Sequence, residues 1–262
     1  MNSIDYWKSQ WNVMVDDTAI TQANEIIDTF GVANAINGVY YDINGVWLGE
    51  AEKNTTNKVY IVDSVEKNEK GKVINALNIR PLSIDTKEFK KMAATVYGES
   101  SATYMKVISD ELKKEMCAIA MVHKKNKIAF GATSAKAKEY KRLTPTQINR
   151  SPFKLASNAA VINAYLGGKD WSYGAVMWDG KEQAIFDTDD EHTKLGEISI
   201  ELHMNTMGWE ISDEHYSKWK KNIGDEFKAP QVKKAVSGKH KDKITLLSTA
   251  VYCRSIFWKY HE

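Results

Sequence analysis

Several things that would announce a function are scarce in this 262-residue chain. It has two cysteines, Cys117 and Cys253, far apart and each inside an apolar stretch. No Cys/His cluster has metal-ligand spacing. The thiols therefore read as free and buried, and no metal site or cofactor is expected. Lys and Arg number 36 against 34 Asp and Glu, a formal charge of +2. So even a balance gives no global field for a nucleic-acid partner. No apolar run reaches the roughly 20 residues that a bilayer requires, so no membrane span is expected. The N-terminal stretch Met1-Asn2-Ser3-Ile4-Asp5-Tyr6-Trp7-Lys8 lacks the basic and apolar regions of a secretory signal. Such a start predicts synthesis in the cytoplasm, with release by a secretion machine or by lysis for any work outside it. Prolines number only four, and long disordered tracts are not expected.

Aromatic residues, in contrast, are plentiful: eight Trp and twelve Tyr. Most will pack in cores, but a carbohydrate cleft would also use some of them for stacking. The chain is long enough for a sizeable core and is read as a single domain, 1–262, of α+β class and mainly α. Residues 1–36 read as amphipathic helices, with Trp7, Trp11, Met14 and Val15 on one face and Ala19, Ala23, Ile26, Ile27 and Phe30 on another. In 37–66 the period changes. Asn44-Gly45 between apolar runs signals a hairpin, Asn54-Thr55-Thr56-Asn57 a second turn, and the segment reads as a small antiparallel meander. A short helix is expected at Ser134 to Tyr140, another capped by Thr144, and a longer one from Ser151-Pro152 to Gly167-Gly168. Residues 187–262 read as a helical extension that closes with a packed helix from Ile244 to Tyr260. Its acidic run, 187–191, reads as a solvated loop, and His192 and His203 as structural. The nine lysines between Lys218 and Lys243 read as a solvated surface or as a seat for an anionic polymer.

The strongest functional signal lies between Asp85 and Gly131. Phe89, Met92, Ala93, Val96 and Tyr97 recur at three- and four-residue steps, the stripe of a helix packed on one face. Asp85 or Thr86 can cap it, Glu88 suits its first turn, and Gly98 reads as its stop signal. Glu99 then stands where the helix gives out. A carboxylate there has an anchored backbone, and partial burial beside Tyr97 would raise its pKa toward that of a general acid. A surface glutamate at a helix end is the plain alternative. A second run, Ile108, Leu112, Met116, Ile119 and Val122, predicts a central buried helix.

Tyr97-Gly98-Glu99, a short polar loop and Lys114-Glu115-Met116-Cys117-Ala118-Ile119-Ala120-Met121-Val122 together resemble the cell-wall hydrolase family that includes spore-cortex lytic enzymes. So do Ala156 to Gly168, Asp170, and Gly174-Ala175-Val176-Met177-Trp178. The resemblance spans residues 86–186, the catalytic core on this reading. It departs at His123-Lys124-Lys125-Asn126-Lys127, where the family has Asn-Arg, and in the loop Ser100-Ser101-Ala102-Thr103-Tyr104. The segment from Val39 to Asp63 also resembles segments preceding lysozyme-like domains in phage-tail-like and toxin proteins.

The resemblance implies a lysozyme-like domain that cleaves the MurNAc–GlcNAc β-1,4 bond of peptidoglycan, as muramidase or lytic transglycosylase, with Glu99 as the acid. Asp170 and Asp179 are the candidates for a second carboxylate, although Asp also favours turns for its own chemistry. Tyr97, Tyr104, Trp171, Tyr173 and Trp178 are the candidates for sugar contact. The alternative is a non-catalytic wall-binding module on the same scaffold. An antibacterial effector, kept harmless by an immunity protein, is a further role the enzyme reading admits.

Overall fold

The computed structural model describes residues 32–34, 37–52, 56–126, 134–181, 184, 207–227 and 244–261. The expected helices within 1–31, the acidic run at 187–191, His192, His203 and the lysines between 228 and 243 lie outside them. The chain forms two compact units that part between Asp170 and Trp171, which corrects the expectation of a single domain with a core running through residue 186. It is mixed α and β, with small sheets in both units.

Among its described residues the first unit holds seven strands: β1 (Val32–Asn34), β2 (Val39–Tyr41), β3 (Trp47–Glu50), β4 (Lys58–Ile61), β5 (Ser64–Lys67), β6 (Val73–Leu77) and β7 (Arg80–Asp85). Helices follow: α1 (Thr86–Glu99), α2 (Asp110–Asn126), α3 (Ala135–Arg142), α4 (Pro145–Ile148) and α5 (Pro152–Tyr165), with a 3-10 turn at Ser101–Thr103. The sheets run β3-β2-β4-β7 and β1-β6-β5. Residues 32–34 are therefore strand, not the expected helix. The 37–66 segment is no meander either. β2 pairs antiparallel with β3 but parallel with β4, so the chain crosses from one edge of β2 to the other.

Both middle strands of the four-stranded sheet are covered on two faces. Tyr40 stacks on Tyr60, ring centroids 5.6 Å apart, in a small core that also takes Val73 and Ala76 of the other sheet. Tyr41, on the opposite face of β2, meets Phe89 of α1 at 4.8 Å. Burial on both sides is why Val59-Tyr60-Ile61-Val62 is a continuous apolar run with no alternation.

The turn Asp42–Gly45 closes the β2–β3 hairpin as its sequence predicts. Asp42 Oδ1 accepts the N–H groups of Asn44 and Val46, both at 2.9 Å. The turn is pinned to the helices by amides. Asn158 of α5 donates to Gly45 O at 2.8 Å and accepts the buried Tyr140 hydroxyl of α3. Asn149 accepts from Trp47 N–H at 3.0 Å and donates to Trp47 O at 2.9 Å, as a neighbouring strand would.

Between Thr86 and Tyr165 the predicted helices and caps are present. Asp85 caps α1, accepting Glu88 N–H at 2.8 Å; Thr144 and Gln147 form a capping box; Ser151 and Pro152 open α5. Gly98 is a correction. It lies inside α1 rather than stopping it. A Cβ there would stand 2.6 Å from Ser134 Oγ and 3.0 Å from Ala137 N, so its lack of a side chain lets the start of α3 approach.

The second unit corrects the expected helical extension. Its sheet runs β8-β11-β10-β9, from β8 (Met177–Asp179), β9 (Met207–Glu210), β10 (Ile244–Tyr252) and β11 (Ser255–Tyr260), with α6 (Asp213–Ile223) packed on it. The expected helix from Ile244 to Tyr260 is the β10–β11 hairpin. Its β-branched and aromatic residues suit a strand, and Cys253 takes the turn at φ +47°, so no Asn-Gly marks it. Trp219 and Trp258 are fully buried in this core. No described helix is long and apolar enough to cross a membrane.

Candidate active site

Glu99 is the last residue of α1 and is half-buried. What fixes it is the way the helix ends. Ser100 turns to extended backbone (φ −79°, ψ 163°) and is itself buried. Its N–H returns to Val96 O at 3.1 Å, and its Oγ donates to Tyr97 O at 3.2 Å. Ser101, also buried, is gripped from α2. Its N–H donates to Glu115 Oε2 at 2.7 Å and its Oγ to Glu115 Oε1 at 2.8 Å. Glu115 is fully buried. The exit of α1 is thus held on both sides of Glu99, and the chain then emerges at Tyr104, 65% exposed, and Val107, 72% exposed.

Sequence reasoning missed Glu115, yet a signal was present. It sits three residues after Leu112 and four before Ile119, so it occupies the apolar stripe of α2. A carboxylate on a buried stripe requires partners, and Ser101 is one.

Tyr97 is not available as expected. It is 8% exposed, its ring 5.9 Å from that of Tyr140 and 4.8 Å below the Lys154 ammonium. Two residues on a helix are about 200° apart, so Tyr97 and Glu99 leave α1 on opposite sides and Tyr97 is a packing residue. Asp170 pairs with Lys125 at 2.6 Å. Lys125 lies ten residues beyond Glu115 on α2, about 15 Å along the axis. That sets Asp170 toward the far end of α2 from the turn that carries Glu99, whereas glycosidase carboxylates stand about 5–10 Å apart.

The remaining candidates belong to the second unit. Trp171 is only 9% exposed, edge-on to Tyr252 with centroids 6.5 Å apart, so its ring serves the core rather than a sugar. Trp178 and Asp179 lie half-buried on β8, and Asp179 Oδ2 accepts the Trp258 indole N–H at 2.8 Å. Tyr173 is 56% exposed and takes a left-handed conformation, φ +50°, at the head of Tyr173-Gly174. Among the described residues no group of three or more His, Cys, Asp and Glu could hold a metal ion.

His123, in the segment that departs from the cell-wall hydrolase pattern, is buried on α2, and its Nε2 has no hydrogen-bond partner among the described residues. Burial pushes its pKa below the usual 6.5; Glu88 opposes the shift and Lys91 adds to it. The folded state therefore keeps His123 neutral where the unfolded chain has taken up a proton. Its contribution is whole above the unfolded value and is lost as pH falls below it. His215 of the second unit is shifted the same way, chiefly by burial. Denaturant titrations at pH 7 and pH 5 should show a smaller loss of stability in His123→Leu than in wild type, with His215 common to both. Equal losses would mean that His123 is protonated in the fold.

Comparisons with protein-family models, with curated proteins and with solved structures found no match to the chain.

Proposed function

We propose that the chain is a peptidoglycan glycosidase on a lysozyme-like scaffold, cleaving the MurNAc–GlcNAc β-1,4 bond with Glu99 as general acid. The observation that carries this reading is a half-buried carboxylate at the end of a packed helix, its exit turn held from α1 and α2. Such anchoring gives a proton donor a fixed position. Exposed Tyr104, on the turn that follows, offers a ring face to a sugar.

Protonation of the glycosidic oxygen leaves an oxocarbenium ion that must be captured. Asp170 is engaged with Lys125 and Asp179 with Trp258, which gives both carboxylates structural work. Capture by the 6-hydroxyl of the muramic acid needs neither. Glu99, deprotonated by the first step, takes the hydroxyl proton and an anhydro sugar forms. On this reading the substrate lies outside the cytoplasm, and an effector role would require an immunity protein that plugs the cleft.

The test is digestion of purified sacculi, with the soluble products weighed by mass spectrometry. Muropeptides lighter by one water than reducing ones are the expected result. Reducing ends would make the enzyme a muramidase and require a second carboxylate. Sacculi that bind the protein and release nothing would favour a wall-binding module instead.

A further inference from the structure

We propose that Glu115 is a positioning residue for Glu99: by gripping Ser101 it fixes the turn that aims the acid at the glycosidic oxygen. This rests on the glycosidase reading above.

Packing alone would put a hydrocarbon at position 115. The residue is fully buried on the same stripe as Leu112 and Ile119, and a carboxylate there costs free energy that an aliphatic side chain would not. What the chain obtains in return is geometric. Both carboxylate oxygens converge on one residue, Oε2 on the Ser101 N–H at 2.7 Å and Oε1 on its hydroxyl at 2.8 Å. A two-point grip fixes orientation as well as distance. It acts two residues after Glu99, and the residue between, Ser100, is itself buried and bonded back to Val96 and Tyr97. The backbone that leaves Glu99 therefore cannot shift without breaking one of these bonds. Displacement of a catalytic group by about 1 Å can cost 100-fold in rate.

A purely structural role would cost folded protein and nothing else. The test is therefore made on the full chain, at a temperature where thermal melts show every variant folded, with kcat, KM and sacculus binding measured. Glu115→Gln presents one oxygen and one amide NH₂ to two donors, so one bond is lost. Its kcat should fall by about 10- to 100-fold with KM and binding within two-fold. Ser101→Ala, which keeps the backbone bond, should fall less, and Ser101→Thr, which keeps the hydroxyl, should recover most of the rate. The double variant Ser101→Ala/Glu115→Gln should be little worse than Glu115→Gln alone, because both changes break one grip. If Glu115→Gln does not fold, the Ala and Thr variants at Ser101 decide the matter by the same kcat readout. An active wild type whose variants keep kcat per folded molecule overturns the positioning role and leaves the glycosidase reading standing. A wild type that releases no products overturns both.

Discussion

On the glycosidase reading, Glu99→Gln should keep the fold and lose sacculus cleavage, with kcat down by about 10²–10⁴-fold, the usual worth of a general acid. The amide matches the carboxyl in shape but has no acidic proton for the leaving oxygen, and it cannot act as base in the second half of transglycosylation. Folding should barely notice. The bonds that end α1 run from Ser100 to Val96 and Tyr97 and from Ser101 to Glu115, and all of them survive the change. A stability loss of about 1 kcal/mol or less is expected in urea titration. Sacculus binding should persist, which separates lost chemistry from lost recognition. Products released at the wild-type rate would sink the assignment of Glu99 and leave it a helix-end residue.

The largest effect on stability is expected at Gly45. Its φ is +78°, and a Cβ there would lie 2.4 Å from Asn158 Cβ and 2.6 Å from the Leu155 carbonyl oxygen. The carbonyl belongs to the backbone of α5 and cannot step aside as a flexible side chain would. Gly45→Ala therefore meets three costs: the left-handed conformation, about 1–2 kcal/mol; overpacking, about 1–3 kcal/mol; and the stretched bond from Asn158 to Gly45 O, about 1 kcal/mol. Gly71 is the internal control. It has a similar φ, +72°, and a Cβ added to it would meet nothing within 4 Å. Gly71→Ala should lose only the conformational part, about 1–2 kcal/mol. Urea unfolding of the two variants thus isolates the seating of the hairpin on α5. Equal losses would show that the hairpin is not pressed against the helix.

Much of the first unit is legible one turn at a time. The caps at Asp85, Thr144 and Ser151 and the Asp42–Gly45 turn depend on atoms within four residues of one another, and all of them form. The helical stripes of α1 and α2 are equally legible, because their period is set by the helix itself. Gly98 shows where local reading stops. As a letter it signals a helix end, but its purpose is the approach of Ser134, 36 residues on. Glu115 is the same case at the site. Its place on an apolar stripe is visible in the sequence, while its partner, 14 residues back, is not.

Strand partnership lies beyond the sequence for a related reason. A turn signal can name the neighbour across a hairpin, as Asn44-Gly45 does for β2 and β3. It says nothing of the parallel pairing of β2 with β4, whose backbone bonds carry no side-chain code. Nor does the run from Ile244 to Tyr260 declare itself a hairpin. Its turn lies at Cys253, and its apolar residues are explained only by burial against α6. Neighbouring residues were enough to dictate the helices between Thr86 and Tyr165, their caps, the first hairpin and the position of Glu99 at a helix end. Folding in three dimensions was needed for the two-unit division, the sheet orders, the burial that takes Tyr97 and Trp171 away from any ligand, and the grip of Glu115 on Ser101. All of these are set by contacts between segments that are separated along the chain, where packing outweighs local preference.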